Sequence, residues 1–163
     1  MKKVYVTWSD VNGYVQDILR QMQQDNWIPD IIVGVTRGGA TPAIMMSHYL
    51  DVKMVGLDVS LRGKKYNNMG PETNCWLAED AMAGNKILIV DDLNDEGGTI
   101  NWIVNDWGQQ IAWGDNVKFA TLIDNLPSKA IVKVSYTAKE IDKNSDPCWI
   151  VLPWEEFYNP LCN

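Results

Sequence analysis

The run Lys86-Ile87-Leu88-Ile89-Val90 goes straight into Asp91-Asp92, and Gly97-Gly98-Thr99 follows a few residues later. A short apolar run rich in β-branched residues reads as a strand buried on both faces, as in parallel sheets covered by helices. The glycines allow close backbone approach to a ligand. Thr99 can cap a helix whose inner face is Ile100, Ile103, Val104 and Trp107. A strand, an acidic turn, glycines and a helix in that order force an α/β layering, with the turn at the strand's C-terminal end, where such sheets bind ligands.

The rest of the chain repeats the alternation. Ser9 can cap a helix over 10–24, with Val11, Tyr14, Val15, Ile18, Leu19 and Met22 on one face. The residues Asp30 to Val35 read as a strand, and Thr36-Arg37-Gly38-Gly39 as the turn after it. Thr41 and Pro42 suit a helix cap and first position, with the helix running to about Leu50. Strands are also expected at 53–59 and 117–123, and one more around Ile131, Val132, Val134 and Tyr136. Residues 60–76 are polar and irregular, long for a plain connection, and read as a mobile functional loop. The tail from Cys148 is aromatic and broken by proline. The expectation is one domain over 1–163: a mainly parallel twisted sheet flanked by helices, plus a small C-terminal hood over about 125–163.

The residue types around Asp91 specify a chemistry. The start of a helix offers unpaired N–H groups and a positive dipole end, which suit a phosphate. The carboxylates beside it suit a hard cation or sugar hydroxyls. A ligand carrying phosphate, ribose and Mg2+ meets both demands. A calcium loop counted from Asp92 fails, because its twelfth residue is Ile103 rather than a bidentate glutamate. No Gly-Lys-Ser or Gly-Lys-Thr is present, so this is not a P-loop. His48 reads as a helix-surface or packing residue.

Composition narrows the partners. The chain has 163 residues, 46% hydrophobic and 21% charged, and a net charge of -7 at pH 7. An acidic surface argues against non-specific nucleic-acid or anionic-membrane binding. Cys75, Cys148 and Cys162 form no CxxC pair, which points to a reduced, cytoplasmic chain without a zinc site. Neither a signal peptide nor a membrane span is evident in the sequence.

These motifs resemble those of type I phosphoribosyltransferases. The match rests on Ile89-Val90-Asp91-Asp92-Leu93-Asn94-Asp95-Glu96-Gly97-Gly98-Thr99, on Val35-Thr36-Arg37-Gly38-Gly39, on Tyr5-Val6-Thr7-Trp8, and on Trp149-Ile150 followed by Pro153-Trp154. Within the family the chain looks most like the xanthine-guanine enzymes. The resemblance implies transfer of phosphoribose from phosphoribosyl pyrophosphate (PRPP) to a purine base, with Mg2+, in nucleotide salvage. It implies ribose contacts for Asp91 and Asp92, with Asp92 also touching the metal, and Asp95 as general acid or base. Residues Asp95, Glu96, Gly97, Gly98 and Thr99 would wrap the 5′-phosphate. Thr36, Arg37, Gly38 and Gly39 would receive pyrophosphate, at a turn where a non-proline cis peptide is common in the family. Trp149 would stack on the base, with Ile150 and Asn125 also at the base. A homodimer or homotetramer is implied. A non-catalytic PRPP or nucleotide-binding regulator on the same fold is the competing reading.

The chain departs from the family pattern at several positions. Glu96 stands where a small polar residue is usual, and its side chain is expected to point away from the phosphate. Asn125 stands where purine-salvage members carry a lysine that donates to the 6-oxo group, with Lys129 close enough in sequence to substitute. Val151 replaces a polar residue. The loop carries Ser60-Leu61-Arg62, with Arg62, Lys64 and Lys65 placed to cover pyrophosphate.

Overall fold

The computed structural model describes residues 1–59, 75–108 and 113–155. The loop expected at 60–76 therefore lies outside the described residues as far as 74, with Arg62, Lys64 and Lys65, and so does the end of the hood from 156.

Five strands build the main sheet beside the site. Strands β2 (Ile31–Thr36), β3 (Lys53–Asp58), β4 (Ile87–Asn94), β5 (Val117–Asn125) and β6 (Tyr136–Ile141) form a sheet in the order β3-β2-β4-β5-β6. Every pairing in it is parallel. The central strand β4 explains the continuous apolar run: Ile87 to Val90 are buried because both sheet faces are covered. Leu88 and Val90 join Ala120 and Leu122 against helices α1 (Trp8–Gln24) and α2 (Ala40–Leu50). Ile87, Ile89 and Phe119 pack on the opposite face with α3 (Cys75–Met82) and α4 (Gly98–Asp106). Full burial of each such side chain contributes roughly 1.5–3 kcal/mol.

A second, two-stranded sheet pairs β1 (Lys2–Tyr5) with β7 (Cys148–Val151) in parallel. The Val6 N–H extends it to the Val151 carbonyl at 2.9 Å, and the Trp8 and Trp154 rings meet at 5.8 Å between centroids. The two ends of the chain thus brace each other over the α1 side of the core, which contains Val6, Ile150 and Leu152.

Several element boundaries differ from expectation. Thr7, not Ser9, caps α1: its hydroxyl accepts from the Asp10 N–H at 3.1 Å while the Asp10 carboxylate accepts from the Thr7 N–H at 2.8 Å. That reciprocal pair satisfies two donors at once, which a lone Ser9 could not. Helix α2 begins at Ala40, directly after Gly39, so Thr41 and Pro42 lie inside its first turn without a side-chain cap. Helix α4 is entered through Gly97 in a left-handed conformation, φ 85°, rather than capped by Thr99. The last sheet strand is Tyr136–Ile141, not 131–136; Val132 and Val134 are buried as an irregular lead-in. The β1–β7 sheet and α3 were not anticipated.

Candidate active site

The parallel order of the sheet carries the ends of β2, β4 and β5 to one side, where a cavity of about 520 Å³ opens. That size suits a nucleotide-sized ligand. Its wall includes Thr36, Asp91, Asp92 and the whole run Leu93 to Ile100, with Trp149 and Ile150 across from the loop on β7. The acidic-then-glycine loop and the aromatic tail, far apart in sequence, therefore face one space.

The glycine end of the cavity is shaped by backbone. A Cβ on Gly97 would overlap the backbone of Ala130, so this residue combines a positive φ with a close contact. The Lys129 N–H binds the Glu96 carbonyl at 3.1 Å, fastening the loop from behind. No side chain caps α4. Its first N–H groups have no partner within the helix and lie where residues 97 to 100 border the cavity. This is an anion cradle made of dipoles rather than of charged side chains.

The carboxylate end is strained electrostatically. Asp91 Oδ1 accepts from the Asp92 N–H at 2.9 Å, and Asp92 Oδ1 from the Leu93 N–H at 2.7 Å. Burial, then the adjacent Asp92 charge, pushes the Asp91 carboxyl well above the ordinary carboxylate range. Burial also raises Asp92, against the Leu93 N–H, and the Glu155 charge adds to the rise. Two half-buried carboxyls side by side on a cavity wall are relieved by hydroxyl donors or a cation. Among the described residues no three acidic, imidazole or thiol groups converge into a complete metal cage. One or two carboxylates beside a phosphate cradle fit Mg2+, which keeps waters and takes substrate oxygens for the remainder of its shell.

Behind these carboxylates stands the β2–α2 turn. The Thr36–Arg37 peptide is cis, the geometry the resemblance implied there. A Cβ on Gly38 would overlap the Asp92 carboxylate, and one on Gly39 would overlap the Val90 carbonyl oxygen. Thr36 reaches the cavity wall, whereas Arg37 is exposed outside the wall as described.

The end of the cavity where a base was expected differs most from expectation. Trp149 is 47% exposed, an indole face left open toward the cavity. Asn125 is 6% exposed and absent from the wall. Its amide is used on both sides: Nδ2 donates to the Asp95 carbonyl at 2.9 Å and Oδ1 accepts from the Lys143 N–H at 3.0 Å. Lys143 itself borders the cavity and its ammonium meets the Asp95 carboxylate at 2.8 Å. Glu96 is exposed and borders the cavity. His48 is exposed on α2, away from this space.

Sequence reasoning missed Thr121, Lys143, Leu152 and Glu155 on the wall. Thr121 could have been found by counting, since register sets it beside Asp91 on the neighbouring strand. Lys143 had no local signal: it arrives because Ile141 at the end of β6 pairs with Asn125 at the end of β5. Glu155 is turned back by its own chain, its carboxylate accepting from the Leu152 N–H at 2.9 Å.

Known proteins of similar sequence and fold point to one family. The family model for the phosphoribosyl transferase domain matches residues 7–159. The chain is 26% identical over 159 residues to a xanthine-guanine phosphoribosyltransferase of Cereibacter sphaeroides, covering 94% of this chain and 87% of that one. A purine phosphoribosyltransferase from Pyrococcus horikoshii superposes with a TM-score of 0.71 at 26% identity, covering 98% of this chain and 97% of its own. The xanthine-guanine-hypoxanthine enzyme of Helicobacter pylori shares the fold, with a TM-score of 0.68 at 20% identity over 95% of each chain. With a match over nearly its whole length and the acidic loop, cis turn and helix cradle in one crevice, the chain belongs to the phosphoribosyltransferase family.

Proposed function

We propose that this protein transfers the 5-phosphoribosyl group of PRPP to a purine base, releasing pyrophosphate, and that the whole chain serves as one domain for it. The observation that carries this reading is the single cavity shared by the α4 N-terminus, Asp91, Asp92 and Trp149. Each part matches one portion of the two substrates. The backbone of Asp95 to Thr99 takes the 5′-phosphate. Asp91 and Asp92 accept from the ribose hydroxyls, and Thr36 with the turn behind it borders the pyrophosphate. Trp149 stacks on the base, with Ile150 beneath. The purine assignment leans on the relatives' substrates.

In the reaction the bond from ribose C1 to the pyrophosphate oxygen breaks, and a ring nitrogen of the base bonds to C1. The electron pair leaves with pyrophosphate, and the ribose becomes cationic on the way. Asp91 and Asp92 lie where that positive charge is stabilised. The base nitrogen loses a proton, and Asp95, on the loop between cradle and base site, is the group that takes it. Mg2+ held at Asp92 would supply charge neutralisation for the departing pyrophosphate. No helix among the described residues is long and apolar enough to cross a membrane. We assign a cytoplasmic setting. We also assign a homodimer or homotetramer.

The test is to incubate the protein with PRPP, Mg2+ and each of guanine, hypoxanthine, xanthine and adenine, and to assay nucleotide. Product with at least one base, lost in EDTA, is expected. PRPP binding without product from any base would instead favour a regulator.

A further inference from the structure

We infer that Lys143 is the specificity-determining cation at the base end of the cavity, and that Asn125 is the positioning residue that holds it there. The inference rests on the proposed transfer to a purine and specifies which purines are taken.

Because β6 runs parallel to β5 with Ile141 opposite Asn125, the chain leaving β6 emerges beside the Asn125 side chain. Asn125 then ties two segments together, accepting from the Lys143 N–H and donating to the Asp95 carbonyl. A buried amide with both ends engaged is rigid, and loss of either bond leaves an unpaired polar group. Asn125 is therefore occupied as a bracket. Its two contacts fix the backbones of the candidate acid/base residue and of the lysine at the same point.

Charge narrows the role. Among the described residues that line the cavity, Lys143 is the only cation, against carboxylates at Asp91, Asp92, Asp95, Glu96 and Glu155. Its side chain is only 18% exposed and its ammonium lies 2.8 Å from Asp95. An ammonium has three donors and no acceptor. One donor satisfies Asp95, leaving others for a ligand in the same cavity as Trp149. Such a group reads an acceptor: a keto oxygen or a ring nitrogen lone pair. An amino group at that place sets donor against donor. The site is thus built for oxopurines over aminopurines, and Asp95 keeps the ammonium aimed until the base arrives.

The test is binding of GMP, IMP and AMP by titration calorimetry, which needs no turnover. Wild type should prefer GMP and IMP to AMP by about tenfold to a hundredfold, the range of one hydrogen bond to a charged group. In Lys143→Met that preference should collapse to within about threefold, whereas Lys143→Arg should keep most of it. Asn125→Ala should lower the preference in the same direction while PRPP affinity holds. If Lys143→Met keeps the wild-type preference, or wild type favours AMP, the inference is wrong although phosphoribosyl transfer stands. If Asn125→Ala weakens PRPP, GMP and AMP alike, its role is general folding and the bracket is refuted. If wild type binds neither PRPP nor any of the three nucleotides, both readings fall.

Discussion

Gly38 lies directly against the Asp92 carboxylate, with no space between them for a Cβ. The β2–α2 turn is therefore the back wall that sets where Asp92 points. Gly38→Ala must displace either the turn or the carboxylate. Overpacking of this kind costs roughly 1–3 kcal/mol. The expected result is a lower Tm together with PRPP affinity weakened by about tenfold or more, since 1.4 kcal/mol is a factor of ten. Calorimetric PRPP titration with a thermal melt checks it; normal PRPP affinity would show that the turn does not position Asp92.

Asp91 predicts a pH signature of the ligand-free protein. Its carboxyl is raised by burial and by Asp92, so the folded state holds a proton that the unfolded chain has released. Stability then falls as pH rises from the unfolded value through the raised folded value. Asp91→Asn removes this loss. In chelator and without PRPP, the variant should melt above wild type at pH 8, and the gap should close toward pH 4. The same variant should bind Mg-PRPP more weakly. An equal gap at every pH would mean that charge burial is not the cause.

Trp149 offers an open ring to the cavity. Stacking on an aromatic is worth about 1–3 kcal/mol per base. Trp149→Ala should raise KM for the base by about fivefold to a hundredfold, with KM for PRPP little altered. A change confined to PRPP would place the base elsewhere.

Asp95 borders the cavity between the glycine cradle and Lys143. If it takes the proton, Asp95→Asn should lower kcat by about 10²–10⁴-fold. PRPP binding should persist, because the cradle is backbone. Loss of binding with unchanged kcat would assign Asp95 to anchoring instead.

The acidic-loop and glycine side of the cavity was legible because its physics is local. Val90-Asp91-Asp92 and Gly97-Gly98-Thr99 lie within ten consecutive residues of the sequence. A strand end, a glycine turn and a helix start meet in space whenever those elements form. The inner face of α4 was legible for the same reason, with Ile100, Ile103, Val104 and Trp107 all buried. Cap positions were less legible, because Thr7 with Asp10 and Gly97 with Ala130 depend on contacts that a single residue type does not reveal.

The amino-acid sequence by itself determined the α/β layering, the anion cradle and the carboxylates beside it, since each follows from apolar periodicity and residues adjacent in the chain. Only the tertiary structure decided the opposite end of the cavity, where Lys143 and Trp149 lie. Lys143 reaches Asp95 through the pairing of β5 with β6, and Trp149 reaches the cavity on a strand paired with the N-terminus. Parallel register joins segments through backbone hydrogen bonds that every residue can make, so the side chains do not announce which neighbours they will acquire.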